Sequence, residues 1–591
     1  MIYHDSHNSK YKNPVMPMPC GAQVQYSLRY DGNGQVYLRT WNGAEELYAM
    51  EQVAPDLYIY TLTLPEEACQ LWYCFKIIEG ELTYYYGDNG QNLGGEGKLY
   101  NGDFHSYLQV VYQKEFTCPS FMHEGNIYQI FPDRFFIGNY HPEKKKHRVH
   151  RQWEQDPLLK VVDANGDNYA KDYFMGNLRG IAEKLDYLYE LGIRTLYLNP
   201  IFESAANHHY DTGDYHTIDS YLGNDEEFAY LASELKKRNM HLILDGVFSH
   251  SGNDSIYFNQ YGNYQSIGAY QSPFSPYADW YKFKEYPNSY ACWWDVYTLP
   301  EINKNSPSYR AFIFGKQGVA RSWIQKGASA WRLDVADELP MDFLQELRMA
   351  CKTENKDSVL LGEVWEDASA KEAYGQMRCY CLGDTLDSVM NYPLRLAIIN
   401  FLMGEGTAQD LCNVILHQRE VYPAPFYYAL MNLIGSHDRA RILNVFAREE
   451  HTGEDREQMR LVRLTDSQYE QAKKQLLLAY ALLTALPGAP TIYYGDEAGM
   501  QGTADPWNRR TFPWGKEDKD LQAKVKHLLN QRIHNAILQT GYIDAKAIDD
   551  NTIEITRYIK QGVDAFGKPC QNGKIRLVLN RETQSADWHF A

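Results

Sequence analysis

No CxxC pair and no metal-like spacing occurs among the ten cysteines, which read as buried, reduced thiols and not as a disulfide framework or a zinc site. No apolar run approaches the roughly 18 residues of a membrane span. The start, MIYHDSHNSKYKNP, has neither the basic nor the apolar stretch of a secretory leader. The expected setting is a soluble protein of the cytoplasm. Positive charge is also scarce: 58 Lys and Arg against 76 Asp and Glu leave a formal charge of −18. Such a field repels phosphate backbones and anionic lipid, so neither nucleic acid nor a membrane is an expected partner. The basic run Lys144-Lys145-Lys146 sits among His141, His147, Arg148 and His150 and reads as a solvated loop. Short catalytic signatures are missing too: there is no GxGxxG after the first strand of the central region, no Walker A, no HExxH and no GxSxG.

What is present is a long chain of ordinary globular composition, with 44% apolar and 23% charged residues over 591 positions, which implies two to four domains. Aromatic content is high, at 14% with 48 Tyr. Flat rings suit sugar faces and suit a large core equally well. Residues 1–122 alternate in short stretches, 35–41 and 57–62 among them, separated by turns such as Asp31-Gly32-Asn33-Gly34. They predict an N-terminal immunoglobulin-like β-sandwich, with glucan binding or a dimer contact left open as its role. From residue 123 the pattern becomes strand, helix, strand. Strands are predicted at 126–131, 195–202, 241–248, 329–335, 359–364, 388–392, 431–434 and 490–494. Helical stripes lie between several of them, such as Leu178, Ile181, Leu185 and Leu188, then Phe228, Leu231 and Leu235. Eight such strands favour an α/β fold of the closed (β/α)8 TIM-barrel type over 123–538, its last helix at 521–538. A Tyr-, Ser- and Asn-rich stretch, 251–306, reads as a small domain inserted after strand three. Residues 539–591, with β stretches at 552–558 and 574–579, read as a short C-terminal β domain.

In a parallel barrel, chemistry gathers at the C-terminal strand ends. Read in order, those ends carry Asp133 and Arg134, Asn199, Asp245 and His250, Arg332 and Asp334, Glu363, His437 and Asp438, then Asp496 and Glu497. So many carboxylates, His and Arg at successive ends predict one convergent acidic pocket. Metal-assisted hydrolysis would want several His or Cys at ligand spacing. Glycoside hydrolysis instead uses a pair of carboxyls, one as acid and one as nucleophile or base.

The residues at these positions resemble glycoside hydrolase family 13, the α-amylase family. Its motifs stand in order as Asn207-His208-His209-Tyr210-Asp211, Asp245-Gly-Val-Phe-Ser-His250, Gly327-Ala-Ser-Ala-Trp-Arg332-Leu-Asp334-Val-Ala-Asp-Glu338, Gly362-Glu363-Val-Trp365, Gly435-Ser-His437-Asp438, Gly488-Ala-Pro-Thr-Ile-Tyr-Tyr-Gly495 and Asp505-Pro-Trp-Asn-Arg509. The resemblance spans roughly residues 123 to 515 and implies a retaining hydrolase of α-glucans. It implies Asp334 as nucleophile, Glu363 as general acid/base and Asp438 as a third carboxylate gripping sugar hydroxyls. Arg332 would orient Asp334 and lower its pKa. His208, His250 and His437 would donate to hydroxyls of the cleaved ring, Tyr210 would stack beneath it, and Asp505 with Arg509 would hold the next ring. Asp245 belongs to the same binding set, and Trp365 would face the acceptor sugar.

The N-terminal β domain, with Leu299-Pro300-Glu301-Ile302-Asn303 in the insert, resembles the neopullulanase, cyclomaltodextrinase and maltogenic amylase subgroup. That likeness implies α-1,4 and some α-1,6 cleavage in maltodextrins, cyclodextrins or pullulan, and a homodimer. An α-glucosidase or a glucanotransferase of the same family stays open, as does a non-catalytic glucan-binding protein. Ser249 stands where many relatives carry Asn, and Gly138-Asn139 and Phe174-Met175-Gly176-Asn177 replace acidic calcium-binding stretches. Asp163-Ala-Asn-Gly-Asp167 lacks the full calcium loop and reads as a turn. No cofactor or metal is expected to be required, with calcium left open.

Overall fold

The computed structural model describes residues 1–145, 148–163, 166–451 and 455–591. Lys146 and His147 of the basic run, and the 164–165 tip of the 163–167 turn, lie outside the described residues. The eight barrel strands are β1 (Asn126–Ile130), β2 (Ile193–Leu198), β3 (His241–Gly246), β4 (Ala330–Leu333), β5 (Val359–Gly362), β6 (Ser388–Val389), β7 (Met431–Leu433) and β8 (Ala489–Tyr493). Each pairs in parallel with its neighbour, and β1 also pairs with β8. A single parallel bridge, Met390 to Met431, joins β6 to β7 and closes the ring. All eight lie where the hydrophobic runs predict them.

Strand alternation sorts each strand's residues between two cores. Ile127, Tyr197, Ile243, Ala330, Val359, Leu361, Met431 and Leu433 fill the barrel interior. Their alternate neighbours, such as Tyr128, Leu196, Leu242, Trp331 and Leu360, pack outward on the helices. Continuing the inward parity past each interior residue leads to Gln129, Asn199, Asp245, Arg332, Asp334 and Glu363. The period of two therefore aims a row of polar side chains at the barrel axis, just above its apolar floor.

The helices obey local rules. Asn224 caps Asp225–Lys237 by accepting the Glu227 N–H at 2.9 Å, and this helix buries Phe228, Leu231 and Leu235. A Thr465–Gln468 capping box opens the long helix Asp466–Ala485. The predicted helix over 521–538 is in fact two, Lys519–Ile533 and Ala536–Thr540, because the Asn535 side chain caps the second by accepting from Ile537 N. Buried Arg532 donates to the Leu486 and Leu538 carbonyls across that break.

The insert after β3 has its ends pinned together: Ser251 N donates to Pro300 O at 3.2 Å and Ile302 N to Ser249 O at 3.0 Å. Ser306 then caps the helix Pro307–Phe314, whose first residue is proline. The N-terminal part has two mainly antiparallel sheets around a separate core of Val24, Tyr26, Leu28, Leu38, Tyr73, Phe75 and others. It docks on the barrel through a buried cluster in which Glu420 of the helix Ala408–Val421 meets Lys12 at 2.9 Å, Ser6 at 2.8 Å and His7 at 3.2 Å. The C-terminal part is a four-stranded antiparallel sheet. Beyond the two stretches read from sequence it contains Tyr542–Asp549 and Ser585–Phe590. No helix among the described residues is long and apolar enough to cross a membrane.

Candidate active site

Arg332 is the hub of the axial cluster. Its Nη1 donates to both Asp245 oxygens at 3.0 and 3.1 Å and to Asp334 Oδ1 at 3.0 Å, and its Nη2 lies 2.8 Å from Glu363 Oε2. One guanidinium thus touches three carboxyls contributed by β3, β4 and β5, and the span of that single group makes Asp334 and Glu363 a close pair. Arg332, Asp334 and Glu363 are 1%, 7% and 5% exposed, so the charges interact with little screening from bulk water.

Local backbone strain serves the same pair. Val335, next to Asp334, is left-handed at φ 37° and ψ 68°, an outlier for a β-branched residue. Such a conformation costs on the order of 1–3 kcal/mol and persists only where the surroundings hold it. Here it turns the Val335 N–H onto Glu363 Oε2 at 2.9 Å. The other Glu363 oxygen accepts Trp365 Nε1–H at 3.1 Å. The Trp365 ring stacks on Tyr392 at 3.9 Å and 7°, with the Arg439 guanidinium 4.3 Å over it.

A neutral network lines the opposite wall. Tyr197 OH and Tyr210 OH donate to Asp245 Oδ2 at 2.7 and 2.9 Å. Asn199 Nδ2 donates to Tyr210 OH at 3.0 Å. The His437 ring lies parallel to Tyr210, at 5.4 Å and 4°. Gln129 Nε2 donates to His437 Nδ1 at 2.9 Å, which puts the ring proton on Nε2, within 2.7 Å of Tyr210 OH and 3.2 Å of Asp438. Burial, with Arg509 and Arg332 nearby, holds His437 well below its usual range, so the ring is uncharged. Burial likewise pushes His208 and His250 down to about 4. His250 is fixed by Ser249 Oγ at 2.9 Å and by the Tyr210 carbonyl, which its Nε2 reaches at 3.1 Å. His208 Nδ1 accepts Tyr210 N–H at 3.0 Å. At the rim, Arg509 pairs with Asp505 at 3.0 Å and reaches to 3.9 Å from Asp438.

Arg332 lowers the Asp334 pKa as expected, but burial outweighs it and the net shift is upward. Burial pushes Asp334 well above the usual aspartate range; Arg332 pulls it down, but Glu363 and Asp245 push it back up. Burial raises Asp245 and Asp438 as well. One cation faces three clustered carboxyls, so its pull on Asp334 does not offset burial.

Two of the strand-end pairs serve elsewhere. Asp133 accepts the Phe174 and Met175 N–H groups at about 3 Å and pairs with Arg134 at 2.7 Å, while Arg134 donates to Arg509 O at 2.8 Å. They brace the loops around the rim. Gly176 completes that brace, because a Cβ there would lie 2.3 Å from Pro132 O. Asp496 pairs with Arg441 at 2.9 Å, and Glu497 accepts Tyr128 OH at 2.7 Å and Tyr187 OH at 2.5 Å. Both pairs leave the axis because turns after β1 and β8 break the strand parity. Tyr197 and Gln129, absent from the motif reading, were legible in that parity. Arg439 carried no signal beyond its place after Asp438.

Comparison with known proteins places this geometry. The family profile described as Alpha amylase, catalytic domain, matches residues 129–535. An amylopullulanase of Thermoanaerobacter thermohydrosulfuricus is 36% identical over 639 residues, covering 98% of this chain and 42% of that protein. The chain spans less than half the length of the amylopullulanases it matches. A cyclomaltodextrinase of Geobacillus thermopakistaniensis is 32% identical over 80% of this chain and 71% of its own length. Among solved structures, a cyclic α-maltosyl-(1→6)-maltose hydrolase of Arthrobacter globiformis superposes with a TM-score of 0.64 at 29% identity, over 78% of this chain and 92% of that one.

Proposed function

The chain belongs to the α-amylase family, and from that premise we propose that it is a retaining hydrolase of α-glucans. It would cleave α-1,4 and some α-1,6 bonds of maltodextrins, cyclodextrins or pullulan by double displacement. The observation that carries the reading is the single Arg332 guanidinium shared by Asp245, Asp334 and Glu363. A retaining mechanism needs two carboxyls close together, roughly 5 Å apart, one charged and one protonated. Arg332 holds Asp334 and Glu363 within the span of one guanidinium, the close placement that this chemistry requires.

In this scheme Asp334 attacks the anomeric carbon while Glu363 gives its proton to the departing glycosidic oxygen. Glu363 then takes a proton from the incoming water, which frees the sugar from Asp334. Arg332 orients both carboxyls. Asp438 and the uncharged His208, His250 and His437 face the hydroxyls of the cleaved ring, and Tyr210 offers that ring a flat face. Asp505 and Arg509 hold the following unit, and Trp365 borders the acceptor side. We take the reaction to need no metal, because these groups already supply the charge and the protons. Unchanged turnover after EDTA treatment is the expected result. Ten free thiols accord with a reducing cytoplasm. The homodimer rests on the subgroup resemblance and is checked by light scattering.

Product analysis on γ-cyclodextrin, pullulan and soluble starch, each alone, tests the reading. Cyclodextrin opened fast, with panose or maltose from pullulan and starch slow, is expected. NMR should show the α-anomer released first; initial release of the β-anomer would reject double displacement.

A further inference from the structure

The mechanism above leaves one largely buried cation unused. Lys371 opens a hairpin in which the strand Lys371–Ala373 pairs antiparallel with Gln376–Arg378, between β5 and β6 along the chain. In its register Lys371 sits directly across from Arg378. Like charges opposite each other destabilise a strand pair unless anions take them up. Asp337 does so: its carboxylate pairs with Lys371 and accepts Tyr380 OH at 2.6 Å, and its carbonyl accepts Arg378 Nη1 at 2.8 Å. Lys371 also pairs with Glu366, so one ammonium holds two carboxylates. Burial draws the Lys371 pKa down, but these two partners more than offset it and the side chain stays charged.

The two partners occupy matching places. Asp337 lies three residues past Asp334, in the turn after β4, and Glu366 lies three residues past Glu363, in the turn after β5. Glu363 is clamped between these same two turns. Val335 N–H, from the first, donates to its Oε2, and Trp365 Nε1–H, from the second, donates to its Oε1. The backbones meet where Ala336 N donates to Glu363 O at 3.1 Å. Farther on, the second turn is anchored by Asp367, which accepts His417 Nε2–H at 2.6 Å, Tyr422 OH at 2.9 Å and Ser369 N–H at 2.8 Å. Glu366 instead points outward, its side chain 64% exposed, and Lys371 draws it toward Asp337. An ion pair so exposed on one arm adds little to stability. Its removal is therefore expected to shift the turns and not to unfold the chain.

We infer that Lys371 is a positioning residue for Glu363, holding the turn after β5 against the turn after β4 so that the acid/base carboxyl faces the glycosidic oxygen. This rests on the hydrolase reading above. In the first step an Asp334 oxygen bonds to C1 as the bond from C1 to the leaving oxygen breaks, and the Glu363 proton passes to that oxygen. Without the ammonium, Asp337 and Glu366 repel each other, and the turns carrying Val335 and Trp365 move apart. Glu363 is then drawn off the line of proton transfer, while Asp334 stays held by Arg332. A poor leaving group, which needs the proton, suffers more than a good one.

The test uses the full chain and two donors of nearly equal size, p-nitrophenyl and p-methoxyphenyl α-maltoside. Methoxyphenol is the less acidic of the two phenols and leaves poorly without a proton. The ratio of kcat/KM between the donors reports cleavage of that bond and is not changed by an inactive fraction. Lys371→Met should lower the methoxyphenyl-to-nitrophenyl ratio roughly 10-fold, part of the about 10²–10⁴-fold that a well-placed acid supplies. Lys371→Arg should keep most of the parent's ratio. Glu366→Gln, at an exposed position, should lower the ratio in the same sense and stands in if Lys371→Met does not fold. An unchanged ratio in Lys371→Met, or in Glu366→Gln where it stands in, overturns the inference alone, and so does a fall as large in Lys371→Arg. No phenol released from either donor by the unaltered protein would overturn the hydrolase reading and this inference with it.

Discussion

Arg332→Met keeps the aliphatic stem and removes the cation that Asp245, Asp334 and Glu363 share. At 1% exposure the site cannot recruit bulk water in its place. Removing one partner of a buried ion pair costs about 3–5 kcal/mol, chiefly because a charge is left unpaired. That cost should depend on pH. Burial already raises Asp245 and Asp334 in the intact protein, and losing Arg332 removes the main pull downward. A carboxyl whose folded pKa exceeds its unfolded value of about 3.9 contributes fully below that value and loses the contribution as pH rises through the folded pKa. The variant should therefore lose little stability at about pH 4 and close to the full 3–5 kcal/mol at about pH 8. Thermal melts followed by circular dichroism at both pH values measure it, and the gap in Tm between variant and parent should widen by several degrees at the higher pH. Equal gaps at the two pH values would refute the shared-cation argument, and so would no gap at all.

Glu363→Gln should lower turnover of maltodextrins by about 10²–10⁴-fold, and Asp334→Asn by at least as much, with circular dichroism spectra unchanged; full activity in either refutes the assignment. Because Asp334 must be ionised to attack and burial raises its pKa, the acid limb of kcat/KM should fall above the range of an ordinary aspartate, and activity persisting down to about pH 4 would contradict this. At the N-terminal seam, burial pushes Glu420 up, but Lys12 and His7 more than offset this and hold it below the usual range. Its contribution is therefore present above the unfolded value of about 4.3 and lost as pH falls. Lys12→Met should expose that seam to limited proteolysis at neutral pH, and an unchanged cleavage pattern would show the tether to be idle. Asp133→Ala should cost about 1–3 kcal/mol by leaving two loop N–H groups without an acceptor, Arg134 keeping Asp172 as counter-ion; a melt like the parent's would mean that the brace is redundant.

Much of the candidate site could be read along the chain. Arg332, Asp334 and Glu363 continue the inward parity of apolar Ala330 and Leu361, so the side chains that meet at the axis follow from a period of two. His437 and Asp438 follow β7 directly. The same reading grouped Asp133, Asp496 and Glu497 with them, and there it failed, since each lies in a turn where alternation no longer says which way a side chain points. Arg441, Tyr128 and Tyr187 take up Asp496 and Glu497 instead.

Composition, hydrophobic period and ordered motifs were enough to determine the barrel, its strand positions and the carboxylates at its mouth, because each depends on spacing within one short segment. Tertiary structure alone decided how charge is shared and what closes over it. The net upward push on Asp334 arises from burial and from carboxyls on two other strands, and no local pattern records either. Glu338 accepts from both Trp294 and Tyr374, a meeting of three segments that depends on how the insert folds back and how the hairpin of strands Lys371–Ala373 and Gln376–Arg378 is fastened at Asp337. Local spacing encodes direction along one element; distance between elements exists only once the chain is packed.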